Sequence, residues 1–266
     1  MKIRTNTFKQ QLQKGKKQYG IWNGLVDSYA AEICAGAGFD WVCIDGEHAP
    51  FDLRTILHNA QAIQSHDVPA IVRIPSIDPA LMKQLLDAGV QNILVPMIES
   101  AEQANLIARA MVYPPTGIRG VGTALARAAQ WNRVNDYFKL ANDQMCCIGQ
   151  IESIKGVESL DEILEVPGLD VCFLGPADLG ATMGYLGQPS HPEVVKLVKA
   201  CIRKIVKAGK VAGFLTGSKQ LIQEYTEAGA LMLGVGLDTL ILAKGTRSLA
   251  ENYKKELTDN RSNTEY

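Results

Sequence analysis

The segment CIDGEHAPFD, residues 43–52, sets Asp45, Glu47 and His48 directly after an apolar run. Grouping two carboxylates and an imidazole costs desolvation and like-charge repulsion, so the cluster needs a counterpart, either a bound group or a structural ion pair. Three further segments put polar side chains at the end of an apolar run. Arg73 closes PAIVRIP, Gln150 and Glu152 end MCCIGQIES, and GPADLG leads to Asp178.

Glu152 and Asp178 would sit on adjacent strands about 5 Å apart, close enough for both carboxylates to share one hard cation such as Mg²⁺ or Mn²⁺. The plain alternative makes each a helix-start carboxylate, Asp178 over LGATMG and Glu152 over IKGVESL. Arg73 leaves an apolar strand and needs an anionic or polar oxygen, which either a substrate carbonyl or carboxylate or an internal salt bridge to Asp45 or Glu47 would supply. In GPADLG the amides of Ala177 and Asp178 open a turn that suits a carboxylate; Gly175 and Pro176 equally suit a tight connection and nothing more. His48 is the candidate for proton transfer because its ordinary pKa lies near neutrality. His58, His66 and His191 have no such companions and read as structural.

Chemistry that is missing narrows the choice. A Schiff-base aldolase needs a lysine inside the barrel, and none of the apolar runs carries one; Lys210 precedes its strand at the wrong end. There is no Walker loop, no G-x-S-x-G elbow and no strand-linked dinucleotide fingerprint, so no nucleotide cofactor is expected.

What must position these residues is a repeating unit. Eight short apolar runs, YGIWNG, DWVCID, PAIVRI, NILVPM, MCCIGQIE, DVCFLGP, VAGFL and LMLGVG, alternate with stretches of helical spacing. Strands alternating with helices imply parallel pairing and right-handed crossovers, and eight such units in 266 residues match an α/β (β/α)₈ TIM barrel. AGAGFD, LLDAGVQ, VKAGKV and TEAGAL each place a glycine where a helix should end. All the candidate residues fall at strand C-terminal ends, the face where barrel enzymes build their sites. No compositional break divides the chain, so residues 1–266 are expected to form one domain with fraying over about 258–266. The long interruption from Tyr113 to Asn142 carries Arg119, Arg127, Arg133, Gly120 and Gly122, and reads either as a ligand-approaching segment or as a solvated excursion.

With 27 basic and 28 acidic residues the net charge is −1, which leaves no basic field for nucleic acid or anionic lipid. The first twenty residues lack the apolar stretch of a secretory signal and no later run could span a bilayer, so a cytoplasmic protein with small-molecule partners is expected. Cys34, Cys43, Cys146, Cys147, Cys172 and Cys201 lack CxxC spacing and are expected to be reduced fillers of the core.

FDWVCIDGEHAP, VRIPSIDPALMKQLLDAG, YPPTGIRGVGTALARA, NDQMCCIGQIES and VCFLGPADLGATMGYLG together resemble the HpcH/HpaI family of metal-dependent pyruvate aldolases, from about Gly20 to about Ala250. The resemblance implies that Glu152 and Asp178 ligate Mg²⁺, Mn²⁺ or Co²⁺, that Arg73 touches the keto oxygen of pyruvate, and that the Ala177 and Asp178 amides meet its carboxylate. It gives His48 the acid/base role, with Asp45 supporting it and Asp87 reaching a neighbouring subunit's site. Gln150, Gly175, Thr123, Leu215 and Trp22 are expected to line the substrate. The implied reaction is reversible cleavage of a 4-hydroxy-2-oxo acid, such as 4-hydroxy-2-oxoheptanedioate, to pyruvate and an aldehyde such as succinate semialdehyde. The same chemistry on 2-dehydro-3-deoxyglucarate or 2-keto-3-deoxy-L-rhamnonate, a phosphate-binding isomerase using GFLTGS and LGVGLD, and a metal- and pyruvate-binding sensor or scaffold are the rival readings. Family members assemble as hexamers, trimers of dimers with exchanged C-terminal helices. Ile77 and Thr123 depart from the residues usual in the family, and both are expected on the aldehyde side.

Overall fold

All eight apolar runs form strands: β1 Gln18–Asn23, β2 Trp41–Asp45, β3 Ala70–Arg73, β4 Asn92–Val95, β5 Cys146–Ile151, β6 Val171–Leu174, β7 Val211–Leu215 and β8 Met232–Leu237. They are parallel throughout and close in sequence order, with β8 returning to β1. The computed structural model describes residues 1–262, with side chains through Lys254. The helices are α1 Thr7–Gln13, α2 Ser28–Gly36, α3 Leu53–Ser65, α4 Pro79–Asp87, α5 Ala101–Ala110, α6 Tyr137–Leu140, α7 Ile154–Glu158, α8 Leu160–Leu164, α9 Pro176–Thr182, α10 Pro192–Lys207, α11 Lys219–Glu227 and α12 Asp238–Ser262. The fold is the expected (β/α)₈ barrel.

Two cores follow from the period-2 alternation of each strand. Trp22, Trp41, Cys43, Ile71, Leu94, Cys146, Ile148, Val171, Phe173 and Met232 fill the barrel, while Val42, Ile44, Val72, Ile93, Val95, Cys147 and Cys172 face the helices. The aromatic rings meet edge-on, Trp22 against Trp41 at 5.5 Å between centroids. α1 closes the lower mouth by inserting Phe8 and Leu12, and Asn6 ties it to the wall through Asn92 at 2.8 Å. Gly38, Gly89, Gly209 and Gly229 end their helices at φ of 93°, 96°, 77° and 113°, the left-handed geometry that glycine adopts without steric cost. The six cysteines are unpaired, and all but Cys34 are buried.

The long segment between α5 and β5 is an ordered subcore and not a solvated excursion. Tyr113, Ala126, Ala129, Val134, Tyr137 and Ala141 pack together, and Arg119 lies buried among them with its guanidinium 4.4 Å above the Tyr113 ring. Because it joins the end of a helix to the start of a strand, it occupies the N-terminal face of the barrel. α12 leaves the last strand with Leu240, Ile241, Leu242, Leu249 and Tyr253 exposed. It runs through Ser262, and the rest of the expected frayed segment, residues 263–266, lies outside the described residues. Among the described residues no helix is long and apolar enough to cross a membrane.

Candidate active site

The strand period decides which polar groups converge. Cys43 and Trp41 point into the barrel, so Asp45, two residues on, takes the uppermost inward position of β2; Arg73 follows Ile71 in β3 and Gln150 follows Ile148 in β5 in the same way. In the β2–β3 register Asp45 lies directly opposite Arg73. The guanidinium forks onto that carboxylate, Nε to Oδ1 at 2.9 Å and Nη2 to Oδ2 at 2.6 Å, and Nη1 reaches Glu47 Oε2 at 2.9 Å. The salt-bridge reading of Arg73 is thus realised. Nη1 and Nη2 each bear a second N–H, so these pairs do not exhaust its donors. The ring of Trp22 lies 5.9 Å beneath the guanidinium.

Asp45 also organises the turn that carries the imidazole. Its Oδ1 accepts from the amides of Glu47 at 3.2 Å and His48 at 3.3 Å, and the Gly46 amide donates to the Arg73 carbonyl at 2.8 Å. His48 projects outward with its side chain 68% exposed, and Nε2 lies 3.9 Å from Glu47 Oε2. Burial pushes the Glu47 carboxyl above its ordinary pKa, against the opposing pull of Arg73.

Glu152 is the most perturbed acid of this face. It is 3% exposed, and burial, reinforced by the nearby Asp178 and Glu47 charges, drives its pKa up to about 7 despite an N–H bond from Met97. Met97 N donates to Oε1 at 3.0 Å, and Gln150 Nε2 donates to Oε2. Gly175 explains how the carboxylate fits: a Cβ there would stand 2.5 Å from Glu152 Oε2 and 3.0 Å from Gln150 Nε2. Glu152 does not cap the next helix, because Ser153 takes that place by accepting from the Gly156 amide at 3.1 Å. Asp178 lies exposed in the first turn of α9, a helix whose N-cap, Gly175, supplies no side-chain bond. Among the described residues the amides of Ala177 and Asp178 in that turn have no side-chain acceptor.

Among the described residues no three His, Cys, Asp or Glu side chains are gathered to hold an ion by themselves. The donor set that exists is a pair, the buried Glu152 and the open Asp178, with the Gln150 Oε1 acceptor buried and without a donor beside them. Two carboxylates with free positions left for water and substrate oxygens fit a hard, oxygen-seeking divalent ion of the Mg²⁺ or Mn²⁺ type. The raised Glu152 pKa comes from burial beside the Asp178 and Glu47 charges, which the Met97 N–H and Arg73 offset only in part.

Other expected residues divide by face. Leu215 ends β7 beside Gly234 and Trp22, on the inner wall. Asp87 ends α4 and Thr123 belongs to the α5–β5 segment, so both lie on the N-terminal face and do not join the site of their own chain. Asp87 accepts from Arg119 Nη2 at 2.8 Å. Arg127 reaches the Ala88 carbonyl at 2.9 Å, at the end of α4, and Arg133 stacks on Trp131 at 5.1 Å, so neither serves the upper face.

Two features of this face escaped sequence reasoning. Met97 adopts φ of 54°, a left-handed conformation that costs a residue with a Cβ about 1–2 kcal/mol; Pro96 before it is its only mark in the sequence. Asp238, read only as part of LGVGLD, is buried and accepts from Asn23 and from the amides of Gly24, Leu25 and Thr239 at 2.6–3.2 Å. A carboxylate already fills the amide cluster after β8, which disfavours the phosphate-binding alternative.

A sequence profile of the HpcH/HpaI aldolase/citrate lyase family matches residues 18–244. The chain is 50% identical over 97% of its length to the 4-hydroxy-2-oxo-heptane-1,7-dioate aldolase of Klebsiella pneumoniae, of which 97% is covered. It is 52% identical over 94% of its length to the hydroxypyruvate/pyruvate aldolase of Deinococcus radiodurans, of which 90% is covered. Among solved structures, an HpcH/HpaI aldolase/citrate lyase family protein from Burkholderia cenocepacia superposes with a TM-score of 0.89 at 36% identity, over 94% of this chain and 100% of that one. Barrel, polar set and profile agree, and the chain belongs to the HpcH/HpaI aldolase/citrate lyase family.

Proposed function

We propose that this protein is a divalent-metal-dependent aldolase that cleaves 4-hydroxy-2-oxo acids to pyruvate and an aldehyde, with 4-hydroxy-2-oxoheptanedioate as substrate. The observation that carries the reading is Glu152, a buried carboxylate clamped by Met97 and Gln150 and raised to about 7, within electrostatic reach of Asp178. Glu152 and Asp178 would hold Mg²⁺, Mn²⁺ or Co²⁺, and the ion would polarise the keto group of the substrate as a Lewis acid.

Arg73 faces the charge that develops on the keto oxygen when the C3–C4 bond opens. Its fork on Asp45 and its contact with Glu47 fix the guanidinium plane before substrate arrives, so little reorganisation is needed in the transition state. His48 accepts the proton of the C4 hydroxyl as the C3–C4 bond opens, and the enolate carbon C3 takes up one proton, from His48 or water, to give pyruvate; the synthetic direction reverses both transfers. Ala177 and Asp178 amides bind the substrate carboxylate. Trp22 and Leu215 border it, and Gln150 Oε1, buried without a donor from the protein, is left to accept from substrate or water.

His48 is largely exposed in a single chain. Asp87 of a second copy would complete it, since the α4 end and the α5–β5 segment lie on the face away from their own site. The exposed Leu240, Ile241, Leu242, Leu249 and Tyr253 of α12 support exchange of that helix between copies, and a hexamer of three such dimers is the assembly proposed, in the cytoplasm.

The Deinococcus radiodurans relative favours a second reading, in which hydroxypyruvate replaces pyruvate as donor. Release of each 2-oxo acid from a substrate panel that includes 2-dehydro-3-deoxyglucarate and 2-keto-3-deoxy-L-rhamnonate decides between them. The first reading expects the highest kcat/KM with 4-hydroxy-2-oxoheptanedioate, and a higher value for hydroxypyruvate adducts overturns it. His48→Ala should slow cleavage by about 10² to 10⁴, the span of a positioned acid/base group.

A further inference from the structure

The turn after β4 fastens itself to the end of β5 and the two residues after it at three successive positions. Met97 N donates to Glu152 Oε1 at 3.0 Å, Ile98 N donates to the Gln150 carbonyl at 2.9 Å, and Glu99 Oε1 accepts from Ser153 Oγ at 2.7 Å. In an ordinary strand consecutive amides point to opposite sides, so residues 97 and 98 could not both reach the same neighbour. The left-handed backbone of Met97, φ 54°, turns the two N–H groups to one side, as in the amide concavities that bind anions. The opposite side of the turn is packed as well, for a Cβ on Gly156 would lie 2.7 Å from the Ile98 carbonyl oxygen.

Glycine is the ordinary occupant of such a φ, and the Met97 side chain is not held by the core, being 45% exposed. The feature that the strained backbone secures is the bond to Glu152. We infer that Met97 is a positioning residue: its left-handed amide fixes Glu152 Oε1 and so sets the direction in which that carboxylate meets a divalent ion. The inference rests on reading Glu152 as an ion ligand, and its test has one arm that needs no ion.

In that arm, amide hydrogen exchange at Met97 is followed by NMR in the metal-free protein. Exchange should quicken at least tenfold in Glu152→Ala, and equal rates in the two proteins overturn the inference. In the second arm, Mn²⁺ affinity is measured by electron paramagnetic resonance, with thermal melting to confirm folding. Met97→Val opposes positive φ through its β-branch and should weaken Mn²⁺ at least tenfold, whereas Met97→Gly, which keeps both φ and N–H, should stay within threefold of the native value. Replacing Met97 by its α-hydroxy-acid analogue deletes the N–H alone and should weaken Mn²⁺ like the valine variant. Native Mn²⁺ affinity in the valine and ester forms contradicts the positioning role. A native protein that binds no Mn²⁺ at this face contradicts the ion reading and leaves the exchange arm to decide the role of Met97.

Discussion

Arg73 lies opposite Asp45 in the β2–β3 register and holds both oxygens of its carboxylate, at 2.9 Å and 2.6 Å. That one pair does two jobs, since the same carboxylate also binds the amides that carry Glu47 and His48. Removing one member of a buried pair strands the other charge and costs about 3–5 kcal/mol. Asp45→Ala should therefore lower unfolding stability by about that amount, measured by urea titration. A loss below about 1 kcal/mol would place the pair among solvent-screened surface contacts.

Arg73→Lys keeps the charge and loses the fork. Turnover should fall by about 10² to 10³, the loss expected for one misplaced donor to a developing oxyanion. Steady-state kinetics should show the loss in kcat and only a small change in KM, because the donor acts on charge that is absent from the ground state.

The pKa of Glu152, raised to about 7 from 4.5, makes the metal-free protein pH-sensitive. Between these values the folded state holds a proton that the unfolded state has released, so stability falls as pH rises through the window and levels off above about 7. The full effect is on the order of 3 kcal/mol, at 1.36 kcal/mol per pH unit. Glu152→Gln removes the titrating group and should flatten the curve between pH 5 and 8; urea titrations across that range give the comparison. A native stability that rises toward pH 8 by the same amount in both proteins would contradict the burial of this carboxylate.

Gly175→Ala introduces a methyl group 2.5 Å from Glu152 Oε2 and 2.8 Å from Glu152 Cβ. Overpacking of this kind costs about 1–3 kcal/mol, and the easiest relief is a shift of Glu152. Mn²⁺ affinity should drop at least tenfold in a protein that still folds, as calorimetric titration would show.

The upper layer of the site is legible in the sequence because one period governs it. Asp45, Arg73 and Gln150 each stand two residues beyond an inward-facing apolar residue, at the end of a run that could be marked as a strand from its composition. The helix-ending glycines were legible for a similar reason, since their conformation is a local property. Contacts that depend on how separate elements meet were not. Nothing near Met97 but Pro96 signals a left-handed turn, and the partner of its amide, Glu152, stands 55 residues later. The burial of Arg119 has no local mark, since Tyr113 and Asp87 are brought to it only by packing of the α5–β5 segment. Which face Thr123 occupies is likewise set by the helix-to-strand connection that carries it, which its neighbouring residues do not mark.

The central claim is that an ion held by Glu152 and Asp178 is required for carbon–carbon cleavage. Pyruvate release from 4-hydroxy-2-oxoheptanedioate should be followed in chelator-treated protein before and after addition of Mg²⁺, Mn²⁺ or Co²⁺. The expected result is negligible release without an ion, recovery on addition, and no recovery in Glu152→Gln or Asp178→Asn. Full turnover in the chelator-treated native protein, or ion-dependent recovery in both variants, would contradict it.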